Sequence, residues 1–419
     1  MIYNILIFAA GLAVYAGYGL PGLIYLLGAT ALSYGAGRLI PKYKWVLWIS
    51  VGLNSLVLLA VKAQPLLGWK FLAPMGISYF TLQIIAYNAD IYRGKYGPET
   101  NFLRYALHIT YLPHIFIGPI EPYPSMMHSL DNRKMTWEGV ADGAVRAVWG
   151  LFKKYVIAAR AGVVIAAISA EPGSYRGAFA LAAMLLYSLQ LYADFSGGMD
   201  MVLGLSRMLG LKLSENFDTP YFSESFREFW RRWHMTLGGW LREYVYIPLG
   251  GNRKGTLRKY LNTVVTFLVS GLWHGIHYLL WGLLNGIFVA FGEKLKTRWR
   301  LVNQIITFLL VTLLWSFFVW PETGTALAML GSLFTTFNYG EFFTSVGALG
   351  LELSDWIVLA AAALLLWGFD WKGAVLKERF CALCPALKTA VICTLGLLVL
   401  VFGMYGIGFD ASEFIYSRF

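Results

Sequence analysis

The sequence predicts an all-α polytopic membrane protein, with about ten to twelve transmembrane helices in a single integral domain over residues 1–419. Hydrophobic residues make up 58% of the chain, charged residues make up only 14%, and the mean hydropathy is +0.58. Soluble domains carry roughly a quarter charged residues, so this composition excludes an ordinary soluble enzyme. Apolar runs of about 20 residues recur along the chain, whereas a transmembrane β-barrel would show short alternating strands. No internal repeat or long linker divides the sequence.

The apolar runs predict the elements in order. Residues 1–19, rich in Gly and Ala, and residues 23–40 form two spans that Pro21 separates. The first run lacks a basic segment and a small-residue cleavage site, so we expect a retained helix and not a signal peptide. The later predicted spans are residues 45–61, 71–92, 137–170, 179–196, 261–278, 279–291, 301–320, 355–369 and 388–405. The run 326–337 is too short to assign as a span and predicts a re-entrant or interfacial helix.

The basic residues predict which side of the membrane each loop occupies. Cytoplasmic loops of membrane proteins carry an excess of Lys and Arg. This rule places in the cytoplasm the loops 38–44, 93–104, 251–260 and 294–300. Met1 and the loops 62–70 and 171–176 are then external. The same distribution accounts for the net charge of +11, so we expect a lipid bilayer and not nucleic acid as the partner of these charges.

The cysteines and the common nucleotide motifs predict no cofactor. Cys381 and Cys384 form a single C-x-x-C, and Cys393 is a third cysteine. One C-x-x-C without a second ligand pair is weak as a zinc site, and an odd count argues against a disulfide framework. The sequence contains no P-loop, no G-x-G-x-x-G and no G-x-S-x-G. We therefore expect no bound metal and no bound cofactor.

A proline-rich segment at 111–130 cannot form one continuous helix. It contains Pro113, Pro119, Pro122 and Pro124 as well as Gly118. Proline removes a backbone donor and clashes with the preceding helical turn. Broken backbone at membrane depth occurs only where protein or a water-filled cavity covers it. The segment is either a re-entrant element that lines a cavity or an interfacial loop.

The most polar stretch of the chain lies at 217–278. Between positions 221 and 260 it carries eight Lys or Arg against three acidic residues. Aromatic residues and arginines alternate over 222–240 with a spacing that predicts one helix with an apolar and a cationic stripe, suited to a membrane interface. Arg231 and Arg232 either hold an anionic donor, because guanidinium groups suit phosphates, or anchor the helix to lipid headgroups.

Two histidines in this stretch are candidates for chemistry, since histidine at membrane depth is rare and often functional. His274 stands between Gly271 and Gly275 in an apolar segment, where a neutral imidazole can accept a proton from an attacking hydroxyl. A buried structural histidine is the alternative. His277 lies three residues further on, which predicts the same helix face as His274. His234 follows the double arginine.

Six blocks of the sequence together carry a family resemblance. They lie at 75–94 (MGISYFTLQIIAYNADIYRG), 112–123 (LPHIFIGPIEPY), 191–210 (LYADFSGGMDMVLGLSRMLG), 216–255, 270–275 (SGLWHG) and 414–419 (FIYSRF). In this order the blocks resemble the membrane-bound O-acyltransferase family, most closely its bacterial alginate O-acetylation branch. The resemblance implies a bundle around a central tunnel in a bacterial cytoplasmic membrane. It also implies transfer of an acyl group from a cytoplasmic thioester donor, acetyl-CoA or an acyl-carrier protein, toward a hydroxyl group of an extracytoplasmic acceptor or a partner transferase.

The resemblance also assigns roles to residues. The histidine of the family's W-H-G block is catalytic and corresponds to His274, and that of the W-x-x-W-H block corresponds to His234. We expect the donor to contact Trp230, Arg231, Arg232 and Trp233. The residues expected to line the tunnel are Trp273, Asp194, His277 and His114. His114 stands where alginate-type members have glutamine, and Gly198 and Met199 replace their Tyr-Ser pair.

Three other functions are alternatives. D-alanyl transfer to teichoic acid from a carrier protein belongs to a sister branch, but the block at 247–253 (IPLGGNR) and the C-terminal block favour acetyl transfer. A polytopic lipid or sugar transporter would show paired halves, which the sequence lacks. A membrane glycosyltransferase would carry an acidic residue in its early external loop, and the loop 62–70 has none.

Overall fold

The computed structural model describes residues 2–68, 73–292 and 296–405, and all regular structure within these ranges is helical. This confirms the all-α class. The block at 414–419, Met1 and parts of the loops 62–70 and 294–300 lie outside the described residues.

The helices follow the chain in three groups. The first group is α1 (Ile2–Ala16), α2 (Leu20–Leu39), α3 (Val46–Leu67), α4 (Ile77–Tyr92), α5 (Phe102–Thr110), α6 (Leu112–Ile117), α7 (Tyr123–Asp131), α8 (Trp137–Phe152), a π-helical segment (Lys153–Ala158), α9 (Ala159–Ala170) and α10 (Ala178–Met208). The second is a 3-10 turn (Pro220–Phe222), α11 (Phe226–Arg232), α12 (Met235–Leu241), a π-helical segment (Arg242–Tyr246), α13 (Gly255–His274), a 3-10 turn (Ile276–Tyr278) and α14 (Leu279–Phe291). The third is α15 (Arg300–Leu314), α16 (Ser316–Val319), α17 (Thr323–Thr335), α18 (Tyr339–Ser345), a 3-10 turn (Val346–Leu349), α19 (Leu353–Cys381) and α20 (Pro385–Phe402).

Several helices are long and apolar enough to cross a membrane, which confirms a multi-pass membrane protein. Within the described ranges there are six: Leu20–Leu39, Val46–Gln64, Ala178–Met208, Arg300–Val319, Leu353–Gly373 and Pro385–Phe402. The shorter apolar helices include Thr323–Thr335, which covers most of the run 326–337 that the sequence left unassigned. The total of ten to twelve spans stays a prediction. The most apolar window of α10 is 67% buried and that of α20 only 6%, so α10 is central in the bundle and α20 peripheral.

Glycines let α8 and α10 cross at very short range. A Cβ added to Gly143 would lie 2.5 Å from the Gly204 carbonyl oxygen, and one added to Gly150 would lie 2.4 Å from that of Gly197. Small residues at such positions allow two backbones to touch inside a membrane. The predicted span 137–170 is therefore one continuous helical rod packed on α10, interrupted only by its π-helical segment.

The π-helical segment directs two consecutive lysines toward α10. Lys153 Nζ lies 2.6 Å from an Asp200 carboxylate oxygen, and Lys154 Nζ lies 2.8 Å from one of Asp194. All four side chains are at most 15% exposed, so each charge is neutralised where it is buried. An α-helix turns neighbouring residues about 100° apart, and the wider π turn is a common device where two neighbours must serve one surface.

The proline-rich segment packs inside the protein. It divides into α6 and α7, with extended backbone at Gly118 and Pro122 between them. His114 and Met126 are buried, as broken backbone at membrane depth requires. The end of α7 lines a cavity of about 710 Å³ that is separate from the one described below. The structure thus favours the re-entrant alternative over an exposed interfacial loop.

The prediction of one amphipathic helix over 222–240 is wrong. The chain forms α11 and α12, and the break falls at Trp233, which is extended, and His234, whose φ is +45°. Two backbone hydrogen bonds hold the break against the preceding loop, from Asp218 N to Arg232 O (3.0 Å) and from Met235 N to Asn216 O (2.9 Å). Trp233 is only 1% exposed, so this aromatic face packs in the core and not on lipid.

Candidate active site

His234 and His274 line the same cavity, which has a volume of about 190 Å³. The two side chains are only 3% and 5% exposed. Aromatic residues supply much of the remaining wall: Trp230, Trp233, Phe267, Trp281, Trp315 and Phe318. A pair of imidazoles in a small apolar chamber is suited to proton transfer with little competition from water.

His234 is held in one orientation and one tautomer. Its left-handed backbone conformation is uncommon for a residue with a side chain and occurs often at functional sites. Asn216 Oδ1 accepts from Thr236 N (3.0 Å) and lies 3.2 Å from His234 Nδ1. Because a backbone N–H must donate to the amide oxygen, that oxygen can only accept from the imidazole. Nδ1 therefore carries the proton of neutral His234, and Nε2 is its proton acceptor.

His274 is the last residue of α13 and lies in an aromatic cage. Its ring centroid is 4.6 Å from that of Trp273, 5.5 Å from that of Trp281 and 5.5 Å from that of Phe318. The helix ends because Gly275 has a φ of +148°, which favours glycine. The cage fixes the direction of the imidazole and keeps it away from bulk water.

Arginines lie at the outer part of the same cavity. Arg227, Arg231 and Arg242 line it, and the last two are exposed. Arg232 does not line it, because its guanidinium pairs with Glu228 at 2.7 Å. Of the two arginines of the double-arginine motif, Arg231 lines the cavity and Arg232 does not, and the contact of both with the donor stays a prediction. Arg227 lies one helical turn before Arg231, so the i, i+4 spacing in the sequence is the signal that finds it.

Sequence comparisons identify the family. A model of MBOAT, the membrane-bound O-acyltransferase family, matches residues 72–334. The chain belongs to this family. It is 35% identical over 386 aligned residues to the Probable alginate O-acetylase of Pseudomonas fluorescens. The alignment covers 87% of this chain and 77% of the relative. The Peptidoglycan O-acetyltransferase of Helicobacter pylori is 35% identical over 294 residues, covering 61% of this chain and 56% of the relative. The Teichoic acid D-alanyltransferase of Bacillus subtilis is 27% identical over 263 residues, covering 58% and 66%.

The resemblance drawn from the sequence blocks is thus confirmed, and the protein is an O-acyltransferase. In this MBOAT chain the predicted donor residues Trp230, Arg231 and Trp233 do line the cavity with the two histidines. Trp273 lies between the histidines, with ring centroids 6.3 Å from His234 and 4.6 Å from His274.

None of the four residues expected to line the tunnel, Trp273 included, is among the residues that line this cavity. Asp194 pairs with Lys154 in the contact between α10 and the π-helical segment. His114 is buried beside Gln83, with His114 Nδ1 3.4 Å from Gln83 Nε2. His277 is exposed, because the helix ends at His274, so the expected shared helix face is wrong. Among the described residues no group of three His, Cys, Asp or Glu side chains could hold a metal ion.

Sequence reasoning missed a polar stripe on α13. Thr263, Thr266 and Ser270 line the cavity on the way to His274. Their spacing of three, four and four residues places all of them on one helix face, and this pattern was available in the sequence. Thr263 Oγ1 donates to Lys259 O (2.9 Å), and Thr266 Oγ1 donates to Asn262 O (2.7 Å). Each threonine oxygen can therefore act as an acceptor toward a ligand N–H group.

A second omission is Lys62 of α3. This half-buried side chain lies within electrostatic range of the His274 imidazole. In the sequence it is a single lysine at the end of an apolar run, a pattern typical of an interfacial anchor. No local signal could reveal its neighbour on α13.

Proposed function

We propose that this protein transfers an acetyl group from a cytoplasmic thioester toward hydroxyl groups of an extracytoplasmic polysaccharide or cell-wall polymer, in a bacterial cytoplasmic membrane. One observation carries the proposal. Two buried histidines and three arginines line a single cavity, with exposed arginines at its outer part and the histidines inside. The names of the O-acetylating relatives support acetyl as the transferred group.

The arginines and the stripe on α13 suit a phosphopantetheine thioester. Guanidinium groups recognise phosphate through paired, charge-assisted hydrogen bonds. The amide N–H groups of a pantetheine arm can donate to Thr263 and Thr266, whose hydroxyl protons already point at helix carbonyls. Such a donor would place its thioester beside His274. Both acetyl-CoA and an acyl-carrier protein present this arm.

In the proposed reaction His274 is the general base. The imidazole takes the proton of the acceptor hydroxyl as its oxygen attacks the thioester carbonyl carbon. The tetrahedral intermediate collapses, the C–S bond breaks, and the thiolate receives the proton from His274. Nε2 of His234 accepts a hydrogen bond from the substrate and positions it across Trp273.

D-alanyl transfer is the second candidate. The teichoic acid D-alanyltransferases of Streptococcus thermophilus and Bacillus subtilis are 28% and 27% identical to this chain, against 35% for the O-acetylating relatives named above. The difference favours acetyl. Purified protein offered acetyl-CoA and, separately, a D-alanyl carrier protein distinguishes the two.

The test of the mechanism compares two histidines three residues apart. We expect His274→Ala and His274→Gln to lower the rate of acyl transfer by about 10²- to 10⁴-fold, the usual contribution of a general base, and so to leave the surface polymer almost without acyl groups. His277→Ala is the matched control, because His277 is exposed and does not line the cavity, and it should leave acylation unchanged. The amount of each protein in the membrane is measured alongside. Normal acylation by well-expressed His274→Ala would overturn the proposal.

A further inference from the structure

A second groove opens on the membrane-facing surface, apart from the catalytic cavity. It encloses about 580 Å³ between α10, α15 and α19. Its walls are apolar and aromatic, and include Leu189, Phe222, Phe308, Leu366, Trp367 and Trp371. Trp367 is 51% exposed, Trp371 62% and Leu301 67%. In a membrane protein such surfaces contact lipid, so the groove is open to the acyl chains of the bilayer.

Two residues of opposite charge line this otherwise apolar groove. Arg300 is the first residue of α15, and its side chain is 75% exposed. Its Nε lies 3.2 Å from a carboxylate oxygen of Glu224. Asp370 of α19 also lines the groove. Basic residues at 296, 298 and 300 predict that the start of α15 lies at the cytoplasmic surface. α19 loses helical geometry at Lys372, directly after Trp371, so the kink lies next to the charged residues.

The surroundings of Asp370 leave it able to bind a cation. Tyr192 lines the groove together with Asp370, while Lys153 and Asp200 act on Asp370 electrostatically from the π-helical segment and α10. Lys153 itself pairs with Asp200 at 2.6 Å, so its charge is largely committed there. A carboxylate offers about four acceptor positions, so Asp370 can accept hydrogen bonds from an ammonium group that enters the groove. Carboxylates in transmembrane helices are rare and usually have a specific partner.

We propose that the groove binds phosphatidylethanolamine of the cytoplasmic leaflet. The phosphate pairs with Arg300, the primary ammonium donates hydrogen bonds to Asp370, and an acyl chain lies along the aromatic wall. Phosphatidylglycerol has no cation for Asp370. Phosphatidylcholine has a cation but no N–H donor, so it cannot form the same charge-assisted hydrogen bond.

Two residues of the groove wall, Tyr192 and Tyr221, also pack near Trp233 of the histidine-lined cavity. Tyr221 lines the groove, with its ring centroid 5.3 Å from that of Phe308 and 6.1 Å from that of Trp233, which lines the cavity. Its hydroxyl is fixed by donation to Ser188 O at 2.8 Å. A bound lipid would therefore contact the outer side of the cavity wall without entering the cavity. We expect it to change thermal stability more than activity.

Lipid binding to the full purified chain tests the proposal. The protein, depleted of lipid in detergent, is titrated with palmitoyl-oleoyl phosphatidylethanolamine, phosphatidylcholine and phosphatidylglycerol, and bound lipid and thermal stability are followed by native mass spectrometry and thermal unfolding. We expect about a tenfold preference for phosphatidylethanolamine, the ratio that one hydrogen bond to a charged group produces. Equal or tighter binding of phosphatidylglycerol would overturn the proposal.

Three variants make the result specific to the groove. Asp370→Asn should abolish the preference among headgroups while some binding of all three lipids remains. Arg300→Gln should weaken all three, and because its side chain is exposed the variant should fold even if Asp370→Asn does not. Arg298→Gln, which removes a charge from the same loop but not from the groove, should behave as the unmodified protein. An unchanged headgroup preference in folded Asp370→Asn, or equal effects of Arg298→Gln and Arg300→Gln, would reject the site.

Discussion

At the scale of single residues, the hydrogen bond between Asn216 and His234 determines which imidazole nitrogen of His234 is the proton acceptor in the cavity. Asn216→Leu removes the acceptor for Nδ1 and frees the ring to adopt the other tautomer. We expect turnover to fall by about 10- to 100-fold. Losses of this size are typical when a metal-binding histidine loses the hydrogen-bond partner that orients its ring. Asn216→Asp keeps an acceptor for His234 and Thr236, and should retain much more activity. Turnover at saturating donor, with protein amount and thermal stability measured in parallel, is the readout.

A purely structural role for Asn216 would give a different pattern, with both variants losing stability and activity together.

The contact between Asn216 and His234 also shows which site residues can be predicted from the sequence. The histidines carried a signal of their own, because a polar ionisable residue is conspicuous in an apolar segment. Asn216 had none, since asparagine is ordinary in a loop and its meaning depends on a partner 18 positions away. Lys62 was also missed, because its neighbour on α13 is far away in the sequence.

At the scale of elements, α11 separates two neighbouring arginines onto different faces. Arg231 lines the cavity, whereas Arg232 pairs with Glu228. Arg231→Gln should weaken donor binding by about 10- to 100-fold, the value of a hydrogen bond to a charged group. Arg232→Gln is the matched control and should change the donor KM little. The measurement is the donor concentration dependence of transfer by purified protein. An unchanged donor KM in Arg231→Gln would mean that Arg231 is only a lipid anchor, and equal increases in both variants would mean that the two arginines both contact the donor.

The hairpin of α13 and α14 depends on a glycine contact. A Cβ on Gly271 would lie 2.5 Å from the Tyr278 carbonyl oxygen, whereas one on Gly52 of α3 would meet nothing within 4 Å. Gly271→Ala should lower the thermal unfolding temperature and, because His274 lies one turn further on, the activity as well. Gly52→Ala should leave both unchanged, because its methyl group enters open space. Equal unfolding temperatures for the two variants would show that the backbone can shift without loss.

Hydropathy and periodicity predicted the existence of these elements well, and their interruptions poorly. The run 222–240 keeps helical spacing through Trp233, yet the chain breaks there. The cause is non-local, because the two backbone hydrogen bonds of the break go to Asp218 and Asn216 in the preceding loop. The break at 111–130 was predictable, since proline acts within its own segment.

At the scale of the whole molecule, ion pairs join loops that were assigned to the same side of the membrane independently. Arg93 and Lys95, in the predicted cytoplasmic loop 93–104, pair with Glu243 at 2.9 and 2.8 Å. Glu243 precedes the predicted cytoplasmic loop 251–260. The hydrogen bond from Lys95 is the main cause that holds the pKa of Glu243 below its usual range, so the pairs are formed at neutral pH. These pairs hold the loop 93–104 beside the π-helical segment that leads toward the loop 251–260, which agrees with the prediction that both loops lie on one side.

Cysteine labelling tests the orientation of the whole chain. Positive-inside charge places Lys42 in the cytoplasm and Ser174 outside. In a background with Cys381, Cys384 and Cys393 replaced by Ala, a membrane-impermeant maleimide should modify Ser174→Cys in intact cells. Lys42→Cys should react only after the cells are opened. Reaction of Lys42→Cys from outside would invert the scheme, and the arginines beside the catalytic cavity would then face away from any cytoplasmic thioester. The assignment of donor and acceptor sides therefore depends on this one measurement, whatever the histidine variants show.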